Sequence, residues 1–190
     1  KGFLFYMMGQ YEKALPYFKQ SLDIQPELPF PVVNIGACQL LSGRHEEGLA
    51  YFNSLPNDDS GYLAKLGGTT IANVIMANIP EAEEGMSKLE SFLLTPSAGN
   101  ALNFLVLCNA QLNNLDKALD WINEGVKNHF PMVLLLPTEP LAKPLHNLPA
   151  LNNIIQDLIG DTNSKEPVHK YKKSLFTSQD LNQYRDRLVA

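Results

Sequence analysis

The sequence predicts an all-α protein, built as a solenoid of antiparallel helix pairs, and two observations lead to this fold class. First, four stretches share one pattern: a turn former, then a small residue about five positions later, then apolar residues at helical spacing. The stretches are GQYEKALPYFKQSLDIQP from Gly9, GRHEEGLAYFNSLP from Gly43, PEAEEGMSKLESFLLTP from Pro80 and NNLDKALDWINEGVKN from Asn113. Second, an apolar helical segment precedes each stretch, so an A helix and a B helix alternate along the chain.

The helix pairs recur with a period of about 34 residues. The small residues that we take as equivalent lie 34, 37 and 33 residues apart and are Ala14, Gly48, Gly85 and Ala118. One helix pair cannot bury its apolar face alone, so neighbouring pairs stack and leave a small residue where two backbones approach. In the third pair, 18 residues separate Gly67 from Gly85, against 12 between Gly36 and Gly48. We therefore expect a longer A helix there, or an irregular turn around NIPEAEE.

This pattern resembles the tetratricopeptide repeat (TPR) family over residues 1–128, with the first repeat truncated. In the second unit, the positions that match the helix A and helix B motifs of the family are Val32, Ile35, Gly36, Gln39, Gly48 and Phe52. The first unit matches at Tyr11, Ala14, Phe18 and Pro26, and the last at Leu102, Leu105, Asn109, Ala118, Ile122 and Gly125. The resemblance implies a TPR-like scaffold whose role is to bind a protein or peptide.

In that family the A helices line a concave groove, and the resemblance implies which residues face it here. In the second unit they are Phe30, Val33, Asn34, Ala37, Leu40 and Leu41. In the fourth unit they are Asn100, Asn103, Phe104, Leu107, Ala110 and Gln111. The basic clamp by which some relatives hold a terminal carboxylate is absent, because no Lys neighbours Asn34. Such a groove suits an extended peptide or a helix, bound through amide hydrogen bonds and apolar pockets.

The sequence offers no catalytic, cofactor or metal site. The histidines are scattered, without a second ligand at helical spacing. The glycines of KLGGTT lack the other residues of a phosphate loop and indicate close helix packing instead. Cys38 and Cys108 occupy equivalent inward positions of two A helices, where a small buried side chain is the simplest interpretation. We therefore expect a protein that is not an enzyme and has no cofactor.

Residues 129–160 break the repeat, because five prolines divide the stretch into turns and short helices. A last helix is predicted to start near Asn147 and to stop at Gly160. Its apolar residues can cover the exposed end of the last repeat and are Leu151, Ile154, Ile155 and Leu158. This part of the chain is therefore predicted to be a Pro-rich segment with a capping helix.

The C-terminal part suggests a connection to DNA. Residues 161–176 are a predicted polar and basic linker, and residues 177–190 begin an amphipathic helix that Thr177 or Ser178 can cap. The string KYKKSLFTSQDLNQYRDRLVA resembles the connector before the DNA-binding region of AraC-type transcriptional regulators. That resemblance implies a regulatory or sensory domain that contacts DNA only through a domain beyond Ala190. A general TPR adaptor of another signalling or envelope assembly is the alternative.

Charge and hydropathy bound the possible partners. The net charge is -5, divided into -7 for residues 1–160 and +2 for residues 161–190, so the acidic body is not a nucleic-acid surface. No apolar run reaches the roughly 18 residues that span a bilayer. Two cysteines without a disulfide or metal pattern fit a reducing compartment, and we expect a cytoplasmic protein. Apolar residues near the N-terminus, Phe3, Phe5 and Tyr6, offer an exposed surface for a homodimer.

Overall fold

The computed structural model describes residues 1–59 and 61–160, and this part of the chain contains helices and no strand. Its α-helices are α1 (Gly2–Met7), α2 (Tyr11–Ile24), α3 (Pro29–Leu41), α4 (His45–Asn53), α5 (Tyr62–Ile75), α6 (Ile79–Glu90), α7 (Ala98–Gln111), α8 (Leu115–Lys127) and α9 (Pro149–Ile159). Short 3₁₀ helices lie at Ser91–Leu94, Pro131–Leu135 and Pro140–Leu145. The all-α prediction is confirmed. The predicted linker and connector helix lie outside the described residues.

Helices α1 to α8 form four antiparallel hairpins in which the odd-numbered members are the A helices. Each A helix packs against the B helix of its own hairpin, and α3, α5 and α7 also pack against the preceding B helix. The A helices contact one another in chain order, α1 with α3, α3 with α5 and α5 with α7. They therefore form one layer, which we call the A-helix layer. The hairpins belong to a compact unit, Lys1–Asn152, and the remainder of α9 belongs to a second unit, Asn153–Ala190.

One turn geometry ends every A helix. Gly9, Gly43, Ala77 and Asn113 all have a positive φ, between 58° and 79°, and recur 34, 34 and 36 residues apart. In the second hairpin, Gly43 N–H donates to Leu40 O at 3.0 Å and Arg44 N–H donates to Gln39 O at 2.9 Å. The same two hydrogen bonds close the other three hairpins. This is the Schellman arrangement, which satisfies the last carbonyl groups of a helix and reverses the chain.

The third hairpin differs from the prediction. Helix α5 has 14 residues, against 13 in α3, and each of the two joins its B helix through three residues. The predicted longer helix or irregular turn is therefore wrong. Counted from the left-handed turn residue, the small position of α6 is Ala82, which is fully buried. Thr70 of α5 stands where α3 has Gly36, and Gly85 is a glycine because a Cβ there would overlap the Thr70 hydroxyl.

Glycines in α3 and α5 make room for aromatic rings. A Cβ on Gly36 would lie 2.7 Å from the Phe52 ring, and a Cβ on Gly68 would overlap the same ring from the next A helix. Gly67 faces the Phe104 ring of α7 in the same way. Phe52 is only 2% exposed. The adjacent glycines therefore allow α5 to approach both α4 and α7, which confirms the prediction of close helix packing.

Residues 130–146, which we call the Pro-rich segment, follow the last hairpin and contact both that hairpin and α1. Near its start, Val133 packs beside Gly125 of α8. Further along, the Gln111 side-chain amide of α7 donates to Leu141 O at 2.6 Å. The Tyr6 hydroxyl of α1 donates to Glu139 Oε1 at 2.5 Å. The segment thus contacts the last repeat, as a cap should, and also reaches the opposite end of the A-helix layer.

The prediction for the last helix is confirmed, and the prediction for the apolar residues near the N-terminus is wrong in part. Helix α9 begins at Pro149, its Leu151 is fully buried, and Gly160 follows with a φ of 78°, as predicted. The expected exposure of Tyr6 is wrong, because the ring is 2% exposed and its hydroxyl is bonded to Glu139. Leu4 and Met8 are instead the exposed apolar residues of this helix and its end. None of the described helices is both long enough and apolar enough to cross a membrane.

Replacing Gly68 with Ala is expected to destabilise the protein by about 1–3 kcal/mol, because the added methyl group would overlap a buried Phe52 ring. Helix propensity alone would favour Ala by about 1 kcal/mol, so a net loss isolates the packing effect. Gly99→Ala in α7 is the matched control, since its Cβ would meet the partly exposed Phe130 ring at 3.2 Å. Chemical denaturation measures both variants. A Gly68→Ala protein as stable as the wild type contradicts the account.

Candidate functional site

The A helices and the Pro-rich segment surround a cavity of about 220 Å³, which we call the A-helix cavity. All four A helices contribute to its lining, together with Phe52 of α4 and the Pro-rich segment. Its lining includes Phe30 and Leu135, which are 56% and 49% exposed. The cavity is therefore a partly open space formed by both ends of the repeat region and by the segment that joins them.

Residues predicted from two separate repeats meet in this cavity. From α3 come Phe30, Val33, Asn34 and Ala37, and from α7 come Asn103, Phe104 and Leu107. These two helices lie on either side of α5, which contributes Gly68 and Ile71 to the same lining. Because Gly67 and Gly68 carry no side chain, the side chains of α3 and α7 can converge over α5. The structure therefore brings together most of the residues predicted to face the groove.

The other predicted groove residues lie elsewhere. Leu40 is buried against α4, where a Cβ on Gly48 would lie 2.9 Å from it. Leu41 is partly buried at the end of α3, and Asn100 is exposed in the first turn of α7. Gln111 bonds the Pro-rich segment through Leu141 O, and Ala110 is fully buried. Leu40, Ala110 and Gln111, near the C-terminal ends of their A helices, therefore serve packing and attachment of the segment.

The sequence prediction missed the contributions of α1 and of the Pro-rich segment. Phe3 and Tyr6 stand six and three residues before the turn residue Gly9, the same positions that Ala37 and Leu40 hold before Gly43. The Pro-rich segment adds Leu136 and Glu139, among others. A signal for the latter existed, since Glu139 is an isolated acidic residue within the apolar and proline-rich run MVLLLPTEPLAKP. Its position opposite Tyr6 was not predictable, because the two residues are 133 positions apart.

Glu139 is the ionisable carboxyl group of the cavity. Its Oε1 accepts from the Tyr6 hydroxyl at 2.5 Å and from Leu141 N–H at 3.1 Å, which caps the 3₁₀ helix that follows. Burial raises the pKa of Glu139, and the two hydrogen bonds and nearby His146 oppose that change. Burial, followed by the Glu139 charge, likewise raises the pKa of Tyr6. The Tyr6 and Glu139 pair is therefore partly desolvated. Ionising the Glu139 carboxyl group in this site costs more free energy than ionising it in water.

Two amide side chains and several aromatic rings complete the lining. Asn34 Nδ2 donates to Phe30 O at 2.8 Å, and within the described residues its Oδ1 has no hydrogen-bond partner. Asn103 also lines the cavity. The ring centroids of Phe3 and Tyr6 and those of Phe3 and Phe30 are 6.1 Å apart. The cavity therefore combines apolar and aromatic walls with a few hydrogen-bonding groups, as small binding sites do.

A second depression, of about 400 Å³, lies between α6 and α8. Its lining includes exposed charged residues, among them Glu83 and Lys117, and none of the predicted groove residues. Within residues 1–59 and 61–160, no group of three or more His, Cys, Asp or Glu side chains is placed to hold a metal ion. Because its lining contains none of the predicted groove residues, the depression between α6 and α8 provides control positions for experiments on the A-helix cavity.

The two cysteines are predicted to be unreactive in the folded protein. Both are free and fully buried at equivalent positions, five residues before a left-handed turn residue. Burial raises the pKa of Cys38 to about 12 and that of Cys108 further, so neither forms the thiolate that reacts with a disulfide reagent near pH 8. Thiol titration should detect neither cysteine before unfolding and both in denaturant. Rapid labelling of either one in the native protein contradicts this burial.

Glu139→Gln is expected to change how stability depends on pH. As the pH rises above 4.5, the ordinary pKa of this carboxyl group, the unfolded chain loses the Glu139 proton before the folded chain does. Folded protein then binds more protons than unfolded protein, so the wild type loses stability until the pH exceeds the raised pKa. Gln cannot ionise, so the free energy of unfolding of the wild type should fall relative to that of the variant as the pH rises from 4.5 and should level off once the pH exceeds the raised pKa. Denaturation across this range measures the difference.

The matched control for this experiment is Glu83→Gln, at an exposed position of α6. It should preserve the pH dependence of the wild type, because its carboxyl group is in water in both states. If Glu139→Gln also follows the wild-type profile at every pH, Glu139 is not buried as described.

Comparison with protein-family models, curated proteins and solved structures finds no match to this chain. The resemblances to TPR proteins and to AraC-type regulators therefore remain predictions from the residues themselves. The geometry of the A-helix cavity is the basis for assigning a function.

Proposed function

We propose that this chain is a non-catalytic, TPR-type module that binds a protein or peptide ligand on its A-helix layer. The observation that carries the proposal is the convergence of Phe30, Val33 and Asn34 of α3 with Asn103 and Phe104 of α7 on one cavity. These residues are chosen by repeat position alone, and they belong to units two repeats apart. The recurrence of one turn geometry at 34, 34 and 36 residues also supports a repeat scaffold.

The cavity is the right size for one anchoring side chain. A cavity of about 150 Å³ can hold benzene, so the 220 Å³ here can receive one large side chain. The apolar walls supply the contact area, and the amides of Asn34 and Asn103 can bond a peptide backbone at the rim. The Pro-rich segment already contacts α1 and α7. A ligand therefore engages this layer through a single anchor in the remaining space.

A random-peptide display selection on the purified chain tests this function. The wild type should enrich a peptide with one fixed anchor residue, and Asn103→Ala with Phe104→Ala should weaken its binding by roughly tenfold or more, as expected when an interface anchor is truncated. Ser87→Ala with Lys117→Ala, in the depression between α6 and α8, should leave binding unchanged. Failure to enrich any peptide, or equal binding by both double variants, would falsify the assignment.

We also propose that the module is the regulatory part of an AraC-type transcriptional regulator in the cytoplasm. The support is the string from Lys170 to Ala190, which resembles the connector of those regulators and lies outside the described residues. In this arrangement, ligand binding on the A-helix layer changes how a following DNA-binding domain is presented. A general TPR adaptor of another assembly would use the same face.

The sequence of the full-length gene after Ala190 tests the regulator proposal. Two successive helix-turn-helix patterns are expected, with basic residues on the second helix of each to read DNA. Purified full-length protein should then protect a specific DNA segment, and the isolated residues 1–160 should not. A different domain in that position would favour the adaptor.

A further inference from the structure

Two oxygen atoms in the A-helix cavity lack a hydrogen-bond donor among the described residues, and the Asn103 amide beside them can both donate and accept. Glu139 uses Oε1 for both of its hydrogen bonds, and among the described residues its Oε2 has no partner. Within this same part of the chain, the Asn34 Oδ1 atom also lacks a donor, since this amide uses only its Nδ2. The Tyr6 hydroxyl hydrogen is already directed at Glu139. A ligand that complements these groups must therefore bring hydrogen-bond donors.

The charge of the cavity is also unbalanced. Within the described part of the chain, no Lys, Arg or His side chain lines the cavity, and no cationic group lies within 4.0 Å of the Glu139 carboxylate. His146 approaches the backbone of Glu139, with Nε2 3.0 Å from its carbonyl oxygen. An ionised carboxylate in this setting has only the more distant His146 to oppose the effect of burial on its pKa, and it lacks the ion-pair partner that buried charges normally have. The missing complement is a positive charge.

The walls of the cavity suit an organic cation. Phe3, Tyr6, Phe30 and Phe104 contribute aromatic rings, whose faces attract ammonium groups, while Val33 and Leu107 offer aliphatic surface. A hydrated metal ion gains no favourable contacts with apolar and aromatic walls. A neutral apolar group would leave the carboxylate without a partner. An ammonium group on a short apolar stem matches both parts of the lining.

We propose that the A-helix cavity is an ammonium-binding site that receives a lysine side chain of the bound peptide, with its ammonium group paired to Glu139 and its methylene stem between the aromatic rings. This inference rests on the proposed peptide-binding function and specifies the anchor residue. Tyr6 and Leu141 N–H hold the carboxylate in place through Oε1, which leaves Oε2 for the ligand. Burial raises the pKa of Glu139, and a bound cation opposes that change because it favours the ionised form.

Titration of the whole chain with three probes of equal length tests the charge requirement. The probes are hexylammonium, hexan-1-ol and hexanoate, and amide chemical shifts report their binding. Hexylammonium should bind roughly tenfold or more tightly than hexan-1-ol, because a charge-assisted hydrogen bond replaces a neutral one, and hexanoate should bind least. This comparison needs no variant, so it does not depend on whether a substitution folds. Equal affinities for hexylammonium and hexan-1-ol overturn the inference.

Two further comparisons locate the site and identify the source of the cation. Glu139→Gln should remove the preference for hexylammonium over hexan-1-ol, and Glu83→Gln should retain it. Nα-acetyl-lysine methylamide, whose side-chain ammonium group is free, should bind more tightly than Nα-acetyl-norleucine methylamide, which has the same four-carbon stem without the charge. Binding of hexylammonium without any preference between these two amides identifies a free amine as the ligand and overturns the lysine assignment.

The outcome can be separated from that of the display experiment. Selected peptides that require Phe104 but contain no lysine leave the proposed function intact and overturn this inference. Conversely, ammonium binding that depends on Glu139, without any enriched peptide, overturns peptide recognition.

Discussion

The left-handed turn at the end of each A helix is the constraint on which the rest of the structure depends. Because Gly9, Gly43, Ala77 and Asn113 adopt the same conformation, three residues separate each A helix from its B helix. The chain therefore reverses identically four times, and the A helices fall side by side in one layer. Small residues then determine how close the helices come. The rings of Phe52 and Phe104 fill the space above Gly36, Gly67 and Gly68. A face shared by α1, α3, α5 and α7 follows from that regularity.

The repeat itself was predictable from the sequence because local chemistry determines it. Turn formers and apolar spacing identified the hairpins, and the positions of Cys38 and Cys108 confirmed the register of two of them. The register of the third hairpin was mispredicted, because Thr70 and Ala82 replace the glycines that mark these positions in α3 and α4. Ala77 also adopts the left-handed conformation that Gly and Asn adopt more readily, so its turn carried no obvious signal.

The way in which the Pro-rich segment covers the A-helix layer was not predictable from the sequence. Prolines indicate where a helix stops, and they indicated short turns in residues 129–160, but they do not specify which surface the segment covers. That choice depends on contacts between distant residues, such as Tyr6 with Glu139 and Gln111 with Leu141. These contacts turn an open face into a cavity with a half-buried carboxylate. Local sequence patterns therefore predicted the helices, and long-range polar contacts determined the chemistry of the candidate site.

A crystal structure of the chain bound to its selected peptide tests the central claim most directly, namely that the ligand of this module occupies the A-helix cavity. The account predicts one peptide side chain within the cavity, against the Phe104 ring and beside the Glu139 carboxylate, with the Tyr6 hydrogen bond retained. A peptide bound in the depression between α6 and α8, with the A-helix cavity empty, would contradict it.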